Sequence, residues 1–308
     1  MSAGLYNPVI LKRFTPVWRA ESQLELLKSF FSNLEARFDQ QFMFEKPILR
    51  RFLSVEEQNN WFVASDKPSL KQYMSTVLRY EKFFGISSPF DFGEVKESGY
   101  VDVAFFVQCY RNFLSGRDLL SVEDFEYSLL VVKDDSINYK NLEARNIVFA
   151  EGFGMHRNPF FSSLPLIGSK GELLVIKAPD LDLNVIVNTS IFILPLGQQL
   201  FKVGSTYNFI DKSDQPTEDG KNELIKQLKS VLRCDFEVVS HIAGVRPTVK
   251  DRRPLVGTHQ EFRNIHVLNG LGTRGVMNGP SMALALFNHI EIKEPLLPEI
   301  DIKRFEKI

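Results

Sequence analysis

The amino-acid sequence predicts a mixed α/β chain whose two sheets differ in character, and two observations carry that expectation. Apolar residues recur at steps of three and four in a few helical segments that together cover much less than half of the 308 residues. Short β-branched or aromatic runs bounded by Gly, Pro or Asp fill much of the rest, most of them suited to an antiparallel sheet and one to the buried centre of an α/β sheet. Sheets of two kinds in one chain predict two domains.

Leu24, Leu27, Phe31, Leu34 and Phe38 share one helical face, which predicts a helix from Ala20 to Phe38. Ser54, with Glu57 three residues on, forms a reciprocal N-terminal cap for a short helix through Trp61 and Phe62. Val103, Phe106, Tyr110 and Phe113 mark a third helix, and Leu224, Leu228, Val231 and Leu232 a fourth, entered through Pro216 and Thr217. Strands are expected over Tyr127 to Val132, Asn146 to Ala150, Glu172 to Lys177, Ser190 to Leu194, Leu200 to Gly204 and Phe236 to Ile242. Ile193 to Gly197 followed by Phe201 to Gly204 reads as a hairpin, whereas Asn146 to Ala150, ending at Glu151-Gly152-Phe153-Gly154, reads as a central strand. A strand from Ile265 to Leu268 and an apolar helix from Pro280 to Ile290 follow.

Composition narrows the function. With 44% hydrophobic and 24% charged residues the chain buries a sizeable core, and disorder is excluded as its main state. Thirty-seven basic against 38 acidic residues give a net charge of -1, so bulk charge offers no reason to expect nucleic acid or an anionic membrane as partner. Cys109 and Cys234 lie far apart without CxxC spacing, against a disulfide framework and a thiolate metal site, and a reducing, cytoplasmic setting is expected. No apolar run approaches the roughly 20 residues that cross a bilayer, and Met1 to Pro8 lack the layout of a signal peptide. His156, His241, His259, His266 and His289 show no ligand spacing, so no metal site is expected. Neither a G-x-S-x-G elbow nor a P-loop is present.

The most conspicuous local pattern is Gly270-Leu271-Gly272-Thr273-Arg274-Gly275, a G-x-G-x-x-G turn between strand and helix. Three readings stand: a phosphate-binding turn, a turn that packs strand against helix, or backbone amides facing some other electron-rich part of a cofactor. The first lacks the second strand and the acidic residue about twenty positions on, since the chain runs into Glu294-Pro295-Leu296-Leu297-Pro298. Arg246, next to Pro247 at the end of a strand, can project a two-pronged fork suited to a carboxylate, or can serve as an ion-paired surface residue.

Ala243-Gly244-Val245-Arg246-Pro247-Thr248, then Asp251, Pro254 and Gly257, then Asn269 through Gly275 and Pro280, resembles the C-terminal signature of the D-amino-acid oxidase superfamily of FAD-dependent enzymes, which includes glycine and sarcosine oxidases. Tyr100-Val101-Asp102, Ile147 through Gly152, Lys170-Gly171-Glu172 and Ala3 through Pro8 extend the resemblance over essentially the whole chain. It implies a truncated FAD-binding Rossmann-like domain, residues 1–38, 99–171 and 241–308, and a substrate domain with an antiparallel sheet, residues 39–98 and 172–240. Relatives begin with a strand, a G-x-G-x-x-G turn, a helix and a second strand, and here Ala3-Gly4 follows Met1-Ser2 directly. The expectation is therefore weak or absent FAD retention and an exposed edge that invites self-association. A misplaced start codon and a non-enzymatic or partner-dependent remnant both account for the departure.

The resemblance also assigns roles. Gly4, Gly152, Gly270, Leu271, Gly272, Thr273, Arg274, Gly275 and Val276 are expected to hold the flavin, the late glycine turn being an isoalloxazine loop. Arg246 is expected to grip a substrate carboxylate, Lys202 to promote reaction of reduced flavin with oxygen, and Tyr207 to line the substrate cavity. A solvated hairpin lysine and a core tyrosine are the alternatives for the last two. The implied reaction is oxidation of a small amino acid or secondary amine by hydride transfer to FAD. The turn is also similar to the oxidase domain of a tRNA wobble-uridine modification enzyme, against which the near-neutral charge argues.

Overall fold

The computed structural model describes residues 2–305. The chain divides into two compact units: Met1–Cys109, Lys170–Asn208 and Ser213–Gly244 form the first, and Tyr110–Ser169, Phe209–Lys212 and Val245–Ile308 the second. The long α-helices are α1 (Ala20–Phe38), α2 (Val55–Ser65), α3 (Val103–Ser115), α4 (Glu218–Lys229) and α5 (Gly275–Glu291). The first four fall on the predicted segments, although α4 ends at Lys229, short of Val231 and Leu232; α1 forms on its apolar stripe without a side-chain cap, and the other three start at a capping side chain. Ser54 Oγ accepts from Glu57 N at 3.1 Å while Glu57 Oε2 accepts from Leu53 N at 2.9 Å, and Thr217 caps Gly220 N at 3.1 Å.

A seven-stranded sheet organises the first unit, in the order Glu237–Arg246, Ser169–Lys177, Leu200–Gly204, Phe192–Gly197, Ile186–Asn188, Ile48–Arg51 and Phe92–Val95. The predicted hairpin is there, Phe192–Gly197 pairing antiparallel with Leu200–Gly204. One face buries Leu174, Ile176, Ile193, Phe201 and Val203 against Leu224 and Leu228 of α4. Burial of this kind stabilises by roughly 25 cal/mol per Å² of apolar surface, and it fixes α4 on the sheet. A buried ionic cluster seats the same helix. The Glu172 carboxylate accepts from Thr217 N at 2.9 Å and Thr217 Oγ1 at 2.8 Å, with His241 Nε2 2.7 Å away and Lys170 Nζ at 3.8 Å. Lys170 also donates to Ser213 Oγ and Gln215 O, so its buried ammonium is solvated by protein oxygens.

The second unit is built on a three-stranded sheet in which Ile265–Asn269 pairs parallel with Ile147–Phe149 and antiparallel with Leu255–Thr258. Phe149, Phe161, Val249, Leu255, Ile265 and Val267 form its core. Three expectations need correction here. Ile147–Phe149 is the outermost strand of its sheet, not a central one, and Val148 stands 44% exposed on it. Residues 127 to 129 form a 3-10 turn, so that only Leu130–Val132 is strand: Leu130 N bonds back to Tyr127 O, and the Tyr127 hydroxyl is drawn to Glu151. Burial, then that carboxylate, push the Tyr127 phenol up to about 12. Finally, α5 begins at Gly275 and carries Pro280 inside it, five residues before the predicted start.

His266 lies 2% exposed in the middle strand. Its Nε2 faces Asn146 Oδ1 at 3.1 Å and its Nδ1 faces Thr258 Oγ1 at 2.9 Å, partners that suit a neutral ring donating from Nε2. Burial, reinforced by His289 and Lys293, lowers its pKa to about 4. The unfolded chain therefore takes up this proton first as pH falls. Stability should be complete above the ordinary value near 6.5 and decline by about 3 kcal/mol as pH drops towards 4. Urea unfolding across that range checks it: His266→Gln should flatten this part of the profile, and an unchanged slope in the variant would assign the pH dependence elsewhere.

Candidate functional site

The strand Ile265–Asn269 delivers the glycine turn at its C-terminal end. Gly270 and Gly272 have φ of 69° and 59°, and a Cβ on Gly270 would stand 2.6 Å from Val249 Cγ2, so this bend demands glycine. Gly272 N donates to Pro247 O at 2.9 Å. The bend thus lies directly against the Pro247-Thr248 peptide, one residue after Arg246. Asn269 secures its root: Nδ2 donates to Gly152 O at 2.9 Å and Oδ1 accepts from Gly270 N at 2.8 Å, with Met155 Sδ 3.4 Å from Nδ2. One buried amide therefore ties together the ends of the two parallel strands.

Leu271 through Val276 run from this bend into the first turn of α5. The helix is entered from Arg274 with no side-chain cap and no acidic residue in its first turn, so its positive end is turned on the bend itself. Leu271, Gly272, Arg274, Gly275 and Val276 are half-buried and Thr273 is exposed. Asn278, in the same turn, is 8% exposed, and its Oδ1 is buried without a hydrogen-bond partner.

The other predicted residues fall as follows. Gly152 has φ of 56° and nothing within 4 Å of a Cβ position, leaving open space beside its backbone. Arg246 is half-buried at the end of its strand. Gly4 belongs to the first unit, where a Cβ would stand 2.1 Å from Val101 O; the room it leaves is filled by the chain itself. Lys202 also belongs to the first unit. Its backbone pairs across the sheet with Val175 and Leu194, and among the described residues its side chain makes no hydrogen bond or ion pair. Burial lowers its pKa below the usual lysine range, with Asp102 opposing that shift. Tyr207 is 61% exposed. Asn269 and Asn278 were given no role by sequence reasoning; the signal for Asn269 was an asparagine placed between a strand and a bend glycine.

A family model described as FAD dependent oxidoreductase matches residues 113–288. The chain is 25% identical to glycine oxidase of Bacillus subtilis over 223 residues, 67% of this chain and 60% of that enzyme, so it spans under two thirds of the curated relative it matches. The crystal structure of glycine oxidase from Geobacillus kaustophilus superposes with a TM-score of 0.72 at 16% identity, covering 96% of this chain and 85% of that one. Iminodiacetate oxidase from Chelativorans sp. superposes with a TM-score of 0.69 at 14% identity, covering 97% and 88%. These likenesses show the fold. No described helix is long and apolar enough to cross a membrane.

The flavin implied by that family can be tested against the residues. An open backbone at Gly152 and Gly272, where no protein atom comes nearer than 3.9 Å to a Cβ position, admits a flat ring. The uncapped start of α5 offers a positive end. A ring with electron-rich carbonyls on one edge fits it. The root of this arrangement should be sensitive: Asn269→Ala leaves the buried Gly270 N unpaired and takes the amide from Gly152 O, at a cost of about 1–3 kcal/mol in thermal or urea unfolding. A variant as stable as the parent would show the clamp to be dispensable.

Proposed function

We propose a function from one premise: the chain belongs to the FAD dependent oxidoreductase family. It oxidises an amino acid or a secondary amine at the carbon bearing nitrogen. FAD, when bound, supplies the two-electron acceptor for the hydride leaving that carbon, and oxygen or another acceptor later restores it. The observation that carries the reading is the hydrogen bond from Gly272 N to Pro247 O, which holds the Pro247-Thr248 peptide, one residue after Arg246, against the bend at the start of α5.

The chain's own residues then have distinct tasks. Amides of Leu271 to Val276 and the positive end of α5 favour negative charge on the pyrimidine edge of the ring as electrons arrive there. Gly152 lets the ring approach the backbone closely. Arg246 takes the substrate carboxylate in a two-pronged grip and so fixes which hydrogen faces the ring. Lys202 presents a partly desolvated ammonium that favours negative charge developing on oxygen, its field strengthened by the low polarity that depresses its pKa. Tyr207 lines the substrate cavity. The imine so formed hydrolyses in water.

Two variants test these roles on protein assayed with flavin in excess. Arg246→Ala should raise KM for a carboxylate-bearing amine about 100-fold while leaving an uncharged amine within about threefold, since only the charge-assisted pair is lost. Equal effects on both would remove Arg246 from the carboxylate. Lys202→Met should slow flavin reoxidation by oxygen about tenfold or more, with flavin reduction unchanged, in stopped-flow absorbance. Unaltered reoxidation would leave Lys202 as a sheet residue only.

A further inference from the structure

Alternation along the strand Ile48–Arg51 sends Leu49 and Arg51 to one face of the seven-stranded sheet and Arg50 to the other. Leu49 packs into the apolar core under α4, with Phe92, Leu228 and Leu232. Arg51 therefore enters the rim of that core, and it is 6% exposed. A guanidinium keeps its proton throughout the ordinary pH range, so burial cannot neutralise it, and a buried charge without a counter-charge is costly.

The partners on hand do not supply one. Arg51 Nε donates to the carbonyl oxygen of Ser87, a neutral group. Among the described residues its two terminal nitrogens have no hydrogen-bond partner, and they are not closed off from solvent. Arg50 takes the nearby carboxylate: its Nε donates to Glu57 Oε1 at 2.9 Å, while Glu57 Oε2 accepts from Leu53 N at 2.9 Å. A second guanidinium stands on the same serine. Ile86 bridges antiparallel to Leu232, with Ser87 N donating to Val231 O and Arg233 N to Gly85 O, each at 2.8 Å. Arg233 Nη2 then donates to Ser87 Oγ at 3.1 Å and its Nη1 to Leu232 O at 3.4 Å. Burial, then Arg233 and Arg50, lower the pKa of Arg51, with Glu57 opposing them. Three guanidiniums thus share one carboxylate among the described residues, and that carboxylate is held by Arg50.

Donors remain to be used as well as charge. Ser87 Oγ accepts from Arg233 and keeps its own proton to donate. Arg51 keeps the free side of its fork, and Arg233 is exposed to solvent. A carboxylate brings two oxygens and one charge to such a group, whereas a phosphate monoester brings three acceptor oxygens and about two charges. We propose that Arg51, Arg233 and Ser87 form a binding site for a dianionic phosphate group, carried by inorganic phosphate or by a small phosphate monoester. The two guanidiniums share the phosphate oxygens, Ser87 Oγ donates to one of them, and the anion offsets the repulsion between Arg51 and Arg233. The site goes beyond the flavin reading and does not depend on it.

Isothermal titration calorimetry of the full 308-residue chain with inorganic phosphate, methyl phosphate and dimethyl phosphate, at constant ionic strength in chloride, tests it. The first two should bind at one site, and dimethyl phosphate, a monoanion, at least about tenfold more weakly. Whichever of the first two binds tighter names the source, free phosphate or monoester, and either result supports the site. Arg233→Gln, on an exposed side chain, should weaken phosphate binding about tenfold or more. Arg51→Lys, which keeps the charge and removes the fork, should weaken it about as much. Lys226→Gln, which removes an exposed charge from α4, should leave it within about twofold. No phosphate binding below about 10 mM would overturn the proposal, as would dimethyl phosphate bound as tightly as the dianions. Equal losses from Lys226→Gln and Arg233→Gln would also overturn it, by reducing the effect to general positive charge, and so would unchanged binding in Arg51→Lys.

Discussion

A single buried side chain, Asn269, holds the second unit's functional end together. It donates to the Gly152 carbonyl beyond the end of one strand and accepts from the Gly270 amide just past its own, so the ends of two parallel strands are tied together. Everything proposed for the site follows from that registration. Gly272 can reach back to Pro247 only if the bend starts where Asn269 fixes it, and α5 can aim its first turn at the bend only if the bend is tight. A glycine at 270 is the geometric condition, since Val249 and Leu255 fill the place of any side chain there.

The first unit answers to a different constraint. Its sheet buries an apolar face under α4, and that helix is anchored through Glu172, whose carboxylate satisfies the cap residue while standing near Lys170 and His241. Burying such charges without partners would be costly, so the cluster commits the chain to one placement of α4. On the same sheet Lys202 alternates with buried Phe201 and Val203 and so emerges on the opposite face. An unpaired, half-desolvated lysine is rare in a sheet built for stability alone, which is why it draws a functional reading.

Much of this architecture was legible in the sequence. The bounds of α1 follow from apolar residues at every third or fourth position, and those of α2 and α4 from Ser54 and Thr217, because a cap is a local interaction that needs no tertiary partner. The start of α5 was not legible. Gly275, Val276 and Asn278 are weak helix formers and Pro280 is the usual opening residue, so propensity points five residues late. Tertiary packing overrides it, and the difference matters: a start five residues later would put the positive end about 7.5 Å further from the bend. Tyr127 and the edge position of Ile147–Phe149 escaped notice for a related reason, since periodicity reports apolar faces and says nothing about which partner a strand or hydroxyl finds.

The central proposal is that a flavin ring meets the bend that runs from Asn269 into α5, beside Gly152. Hydrogen–deuterium exchange of the chain with and without saturating riboflavin tests this most directly, because it locates the ligand without requiring turnover. Slowed exchange concentrated in residues 151–156 and 270–280 is the predicted result. Protection confined to the first unit, or riboflavin bound with no change in either segment, would contradict the claim.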